Sequence, residues 1–202
     1  MTTPSAKIIS RKRLFDGFHK LDMITAEIGS LRPGGGSMTI AREVLCGPHV
    51  AMILLYNPAT DEILMNKQFR IGAFVGGAED PFLLECAAGC IDEGETPEQA
   101  AVREAREETG CEISELERIG ACYSNPGNLN QKFHLFAGCI DQAAPGFHGH
   151  TEEGEDIETV LLPAKDVIAM LDNDEILQAP AALMLHWFAR NHERLRKKWK
   201  SS

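Results

Sequence analysis

The segment GCIDEGETPEQAAVREAREETGC, residues 89–111, decides how the rest of the chain is read. Thr96 suits a helix N-cap, and Gln99, three residues on, completes a capping box. Pro97 takes the first helical position, where a missing N–H costs nothing, and Gly110 stops the helix. The pattern predicts a loop followed by a helix over Pro97–Thr109. At about 100° per residue, Glu104 and Glu108 face the same way and Glu107 lies close by. Alanines at 100, 101 and 105 let the other faces pack closely. Three carboxylates on one arc repel one another unless something positive sits among them. One reading is a solvated acidic face paired with Arg103 and Arg106. The other is a hard oxygen site suited to Mg²⁺.

Outward from this segment, strands are expected on both sides. His49–Tyr56 is a continuous apolar run, as in a buried strand. Asn57–Asp61 reads as a turn and Glu62–Phe69 as the returning strand. Leu83–Ala88, Glu117–Tyr123, Lys132–Cys139 and Glu158–Leu162 are further strand candidates, and Ala164–Leu171 and Pro180–Trp199 read as helices. Before the change of character at Cys46-Gly47-Pro48, the best strands are Phe18–Ile28 and Met38–Cys46, split by Arg32-Pro33-Gly34-Gly35-Gly36. The expected architecture is α/β (α+β): a mixed-sheet α/β/α sandwich over residues 48–202, preceded by an antiparallel β subdomain over 1–47.

The 202 residues carry a formal net charge of −10, which disfavours nucleic acid and anionic membranes as partners. A phosphate ligand would need local arginines or metal ions. The basic run Arg194, Arg196, Lys197, Lys198 and Lys200 reads as a solvated helix end. None of the six cysteines forms a C-x-x-C pair, so they are expected to be reduced and buried. With no apolar run near the ~20 residues that span a bilayer, and no secretory leader at the first residues, the expected location is the cytoplasm.

Gly89, Glu95, Arg103, Glu104, Glu107, Glu108 and Gly110 match every fixed position of the Nudix box, G-x5-E-x7-R-E-U-x-E-E-x-G-U, with Ala105 and Cys111 in its apolar slots. The chain therefore resembles the Nudix hydrolase superfamily. The resemblance implies the Nudix fold and two or three bound Mg²⁺ ions, with Mn²⁺ able to substitute. It makes Glu104 and Glu108 metal ligands, Glu107 a further ligand or a close neighbour with a catalytic part, and the Ala88 carbonyl an additional ligand. Arg103 would orient these carboxylates, and Glu95 would brace the loop.

Pro126, sixteen residues after Gly110, resembles the marker of the bacterial ADP-ribose pyrophosphatase subgroup. Gly17-Phe18, Arg42-Glu43, Lys67–Arg70 and Asp80–Glu85 are similar to that subgroup too. By this resemblance Phe18 stacks near adenine, Arg42 and Glu43 contact the adenine region, and Arg70 meets the pyrophosphate. The acidic loop Gly149–Ile157 would supply Glu153 as the base, with Glu152 its nearest competitor, and Glu155 as an extra ligand. Gln131 stands where many relatives carry a glutamate, five residues past the marker proline; it can hydrogen-bond a sugar hydroxyl but leaves the distal sugar open. His134 reads as a packed strand residue. The resemblance also implies a homodimer with exchanged N-terminal strands, and the apolar Leu183, Trp187 and Phe188 of the last helix point the same way. The expected reaction is hydrolysis of ADP-ribose to AMP and ribose 5-phosphate. The alternatives are GDP-mannose or another nucleotide sugar on the same fold, and a non-catalytic ADP-ribose sensor.

Overall fold

The computed structural model describes residues 5–143, 145–149, 154 and 156–200. The chain divides into two compact units: Met1–Pro48 with Tyr123–Lys132, and His49–Cys122 with Phe133–Ser202.

The first unit is built on a three-stranded antiparallel sheet of β1 (Ala6–Asp16), β2 (Lys20–Gly29) and β3 (Ser37–Cys46), in that order. The β2–β3 turn uses left-handed backbone at Gly34 and Gly36, as the Pro-Gly-rich stretch predicts. Strand β1 was not among the strands expected from the sequence. It is exposed along its whole length, so no buried face imposes an alternating pattern on it. It is held by its antiparallel ladder with β2 and by charge: Arg11 and Arg13 both donate to Asp22 of β2, whose side chain is fully buried. The Cys46 Sγ of β3 donates to the same carboxylate. Residues 123–132 join this unit through backbone bonds, Leu45 N–H to Asn128 O at 2.7 Å and Asn130 N–H to Leu45 O at 3.2 Å.

The second unit contains β4 (Val50–Asn57), β5 (Glu62–Phe69), α1 (Ile71–Val75), β6 (Phe82–Glu85), β7 (Ala87–Cys90), α2 (Pro97–Thr109), β8 (Glu115–Tyr123), β9 (Lys132–Cys139), β10 (Gly146–His148), β11 (Ile157–Pro163), α3 (Ala164–Asp172) and α4 (Ala179–Trp199). Its mixed sheet runs β10-β11-β5-β4-β9-β8, with β4 and β9 parallel. Every residue of β4 is buried, because both faces of this central strand are covered. Val50, Met52, Leu54 and Tyr56 pack with α3 and α4 through Val167, Leu185 and Phe188. Ala51, Ile53 and Leu55 point the other way, onto Ala100, Ala101 and Ala105 of α2. Alternation along one strand thus creates the three layers of the α/β/α sandwich.

The turn Asn57–Asp61 ties α4 to the sheet. Asp61 adopts left-handed backbone (φ 64°). Its carboxylate accepts from Tyr56 Oη at 2.7 Å, pairs with Arg196 at 3.0 Å and meets His192 Nε2 at 2.6 Å. Arg194 and Lys198 pair with Glu117 at 2.6 and 3.0 Å. Three members of the C-terminal basic run are therefore ion-paired across the fold rather than merely solvated. Phe188 is fully buried, edge-on to Tyr56 at 4.9 Å between centroids, which removes it from any surface for a second subunit. All six cysteines are free, as expected, but Cys90 is exposed where β7 runs out into the loop. No helix among the described residues is long and apolar enough to cross a membrane.

Truncating Phe188 to Ala should cost about 3–5 kcal/mol, whereas Leu183→Ala, at a side chain 44% exposed, should cost under ~1 kcal/mol. Urea midpoints of the two variants check this contrast.

Candidate active site

Strands β4 and β5 pair only near their shared turn, at Leu55↔Leu64, Tyr56↔Ile63 and Asn57↔Glu62. Beyond that point they part like a fork. Strand β6 pairs with β5 (Asn66↔Glu85 to Phe69↔Phe82), and β7 pairs with β4 (Val50↔Cys90 to Ile53↔Ala87). The single strand expected over Leu83–Ala88 is therefore two, broken at Cys86, because its halves serve different partners. Burial pushes the Cys86 thiol up to about 12, so this residue is a packing element and not a nucleophile. Helix α2 packs on β4 and β7, which sets its glutamates against the opening of the fork.

The helix begins and ends as its residues dictate. Thr96 and Gln99 form the reciprocal capping box, and Gly110 closes the helix with φ 68°. Within α2, Arg103 is the organising cation. It grips Glu95 with two bonds, Nε to Oε1 at 3.0 Å and Nη2 to Oε2 at 2.9 Å. The same guanidinium donates to Glu104 Oε1 at 2.6 Å, Glu107 Oε2 at 3.0 Å and the Cys90 carbonyl at 2.9 Å. Hydrogen bonding to Glu95 raises the guanidinium pKa further, so Arg103 stays charged at all working pH. The Arg103 contact in turn holds Glu95 below the usual carboxylate range. Glu95 also accepts the Asp92 N–H at 3.1 Å, which braces the loop before the helix as expected.

Glu108 is held from the sheet side. Its Oε2 accepts from Asn66 Nδ2 at 2.8 Å and from the Ala88 N–H at 3.0 Å. Gly89 lies against Glu104 so closely that a Cβ there would overlap the carboxylate. Among the described residues, no three His, Cys, Asp or Glu side chains close on one point as a finished ion site. The chemistry of the donors nevertheless fits a divalent cation. Glu104, Glu107 and Glu108 carry hard carboxylate oxygens on one helix arc, two of them partly or fully buried. Beside them, Asn66 Oδ1 is buried without a hydrogen-bond partner.

Arg70 follows β5 and is clamped by Glu85, Nε to Oε1 at 2.8 Å and Nη2 to Oε2 at 2.5 Å. Glu85 is only 2% exposed, while the Arg70 side chain is about half exposed. Asn66 and Glu85 were not singled out by sequence. Glu85 carries a weak signal, a carboxylate closing the apolar run Phe82–Leu84, whereas Asn66 sits among other polar residues of β5 and carries none.

Phe18, Arg42, Glu43, Pro126 and Gln131 belong to the first unit. Phe18 is 97% exposed in the β1–β2 bend, its ring edge-on to His19. Arg42 and Glu43 are exposed on β3, opposite Ile24 and Met23, and Arg42 donates to the Ala41 carbonyl. Pro126 lies in a turn closed by Asn128 and Leu129 N–H to Asn125 O at 3.2 and 2.9 Å, and Gln131 is half-buried at its far end. His134 is a half-buried strand residue beside His49, consistent with a packing role. Glu152, Glu153 and Glu155 lie outside the described residues.

The fork, the capped helix and the box carboxylates make one site in the second unit. The chain belongs to the Nudix hydrolase family: the NUDIX domain model matches residues 47–188. It is 33% identical over 199 residues to the ADP-ribose pyrophosphatase of Haemophilus influenzae, covering 97% of this chain and 91% of that protein. It is also 33% identical over 189 residues to the GDP-mannose pyrophosphatase of Pectobacterium atrosepticum, covering 91% and 96%. A crystal structure of an ADP compounds hydrolase superposes with a TM-score of 0.68 over 98% of this chain and 97% of the other, at 17% identity, a likeness of fold.

Two outcomes follow from this geometry. Gly89→Ala should lower turnover by about 10²-fold, the scale expected when a reacting group is misplaced by roughly 1 Å, with little change in thermal midpoint. Because Arg103 depresses Glu95, that link stabilises the fold above the ordinary value of 4.5 and is lost as pH falls through the lower folded value. The stability gap between the parent and Glu95→Gln should therefore shrink below pH 4.5; chemical unfolding across pH 3–6 measures it.

Proposed function

We propose that this protein hydrolyses the pyrophosphate bond of ADP-ribose to AMP and ribose 5-phosphate, with magnesium as its ion. The observation that carries the reading is the box itself. All seven of its fixed residues are present, and its carboxylates are gathered around Arg103 and the Ala88 amide, in a chain alignable end to end with an ADP-ribose pyrophosphatase.

Glu104 and Glu108 would hold the ion, with Glu107, the Ala88 carbonyl and Glu155 completing the ligands. A divalent ion bound there neutralises diphosphate charge and favours attack by water. Two or three ions are expected, and Mn²⁺ serves in place of Mg²⁺. Arg103 keeps the carboxylates from repelling one another before the ion arrives. Arg70 offers its planar fork to the diphosphate, pre-oriented by Glu85. Glu153 takes the proton from the attacking water, with Glu152 the competing candidate. Phe18, Arg42, Glu43, Pro126 and Gln131 form the set assigned to adenine and sugar recognition. The same reading makes the protein a cytoplasmic homodimer with no nucleic-acid or membrane partner.

The second reading is GDP-mannose hydrolysis, favoured by the equal identity to a GDP-mannose pyrophosphatase. It applies to the same box. The substrates ADP-ribose, GDP-mannose, ADP-glucose and NADH should separate the two by kcat/KM. ADP-ribose is expected to lead, and a more than tenfold preference for GDP-mannose replaces the first reading with the second. Glu108→Gln should lower kcat by at least ~100-fold, more than is typical for loss of a group that only supports a ligand, while the circular dichroism spectrum is unchanged.

A further inference from the structure

The Nudix box accounts for Glu108 but not for what orients it. The residue that does so lies 42 positions away, on β5. Asn66 is 4% exposed and sits where β5 leaves β4 to pair with β6. Its Nδ2 donates to Glu108 Oε2 at 2.8 Å, and the Ala88 N–H donates to the same oxygen at 3.0 Å. Two donors converging from different strands on one carboxylate oxygen fix both the rotamer and the plane of that group. A strand position flanked by Met65 and Lys67 has no packing reason to hold an amide, and burying one is unfavourable for each polar atom left unsatisfied.

Asn66 Oδ1 is such an atom, buried with no hydrogen-bond partner. A buried acceptor without a partner calls for an explanation, and an ion site or its water is one of few. We infer that Asn66 is a positioning residue for the ion site: its amide sets the Glu108 carboxylate from the sheet side, and its carbonyl oxygen accepts a hydrogen bond from water held at the carboxylate cluster. Arg103 does the corresponding work for Glu104 and Glu107 from the helix side. The cluster is thus oriented by one charged and one neutral donor, on opposite walls. The neutral donor matters because a second arginine at Glu108 would compete with the cation for the carboxylate's charge.

This inference rests on a cation at the box glutamates, so the test uses the metal alone. Mn²⁺ affinity of the full chain, without substrate, is measured by the electron paramagnetic resonance of the free ion. The variants are Asn66→Leu, which keeps the volume and removes both polar atoms, Asn66→Ala, which is smaller and fits without strain, and Glu108→Gln as reference. Both Asn66 variants should bind Mn²⁺ at least ~10-fold more weakly, the loss typical when a residue supporting a metal ligand is removed. At saturating metal, kcat should fall by a similar factor with substrate KM within twofold; loss of folded protein would instead lower the number of Mn²⁺ sites per chain and leave the affinity of each unchanged. Either Asn66 variant that folds as the parent does and binds Mn²⁺ within twofold of it overturns the assignment. If Glu108→Gln itself binds Mn²⁺ as tightly as the parent, the cation site at the box is wrong, and the Asn66 assignment falls with it. If Glu108→Gln loses binding while the Asn66 variants keep it, the Asn66 assignment alone fails.

Discussion

A single guanidinium holds the helix side of this site in shape. Arg103 is bound to Glu95, Glu104 and Glu107 and to the Cys90 carbonyl, so one side chain joins the helix, the loop before it and the end of β7. Without it, the acidic arc of α2 would be set by mutual repulsion, and the loop over residues 91–96 would lose its anchor. The interaction works because it is multiple and planar. A lysine could satisfy one of these acceptors at a time, whereas the arginine fork meets Glu95 with two parallel bonds and still has donors left. The anchoring of the loop and the orientation of Glu104 and Glu107 follow from that geometry.

The fork in the sheet is the other half of the arrangement. A fully paired β4–β5 ladder would present only side chains along its length. Parting the strands lets β6 and β7 enter, which brings a backbone amide at Ala88 and the polar Asn66 and Glu85 to the opening. The alanines of α2 let the helix lie close enough for its glutamates to reach that backbone. Gly89 completes the fit, since its bare Cα is what accommodates the Glu104 carboxylate. Small residues thus have a role here equal to that of the charged ones.

How much of this could be read in the amino-acid order depends on range. Thr96, Gln99 and Gly110 act on neighbours within a few residues, and the helix they delimit was legible to the residue. The continuous apolar run of β4 was legible as a buried strand. The break at Cys86 was not, because it arises from a choice of partners, β5 for one half and β4 for the other. Strand β1 was not legible because it is exposed throughout and is held by its ladder with β2 and the Arg11, Arg13 and Asp22 cluster, not by burial. At the site, the box and Arg103 stood out by spacing, while Asn66 and Glu85 owe their positions to pairing between distant segments. Phe188 shows the converse: its apolar character was plain, but only packing against Tyr56 reveals that it faces inward.

The odd and even positions of β4 serve opposite layers, with Met52, Leu54 and Tyr56 on one and Ala51, Ile53 and Leu55 on the other. Inserting or deleting one residue there would exchange the two sets, pressing large side chains onto the tight alanine face of α2 and opening voids under α4. The segment can therefore drift in composition but not in length, whereas the glycine-rich turn between β2 and β3 can change length freely. Among descendants of this fold, gaps in alignment should accumulate in that turn and be purged from the central strand.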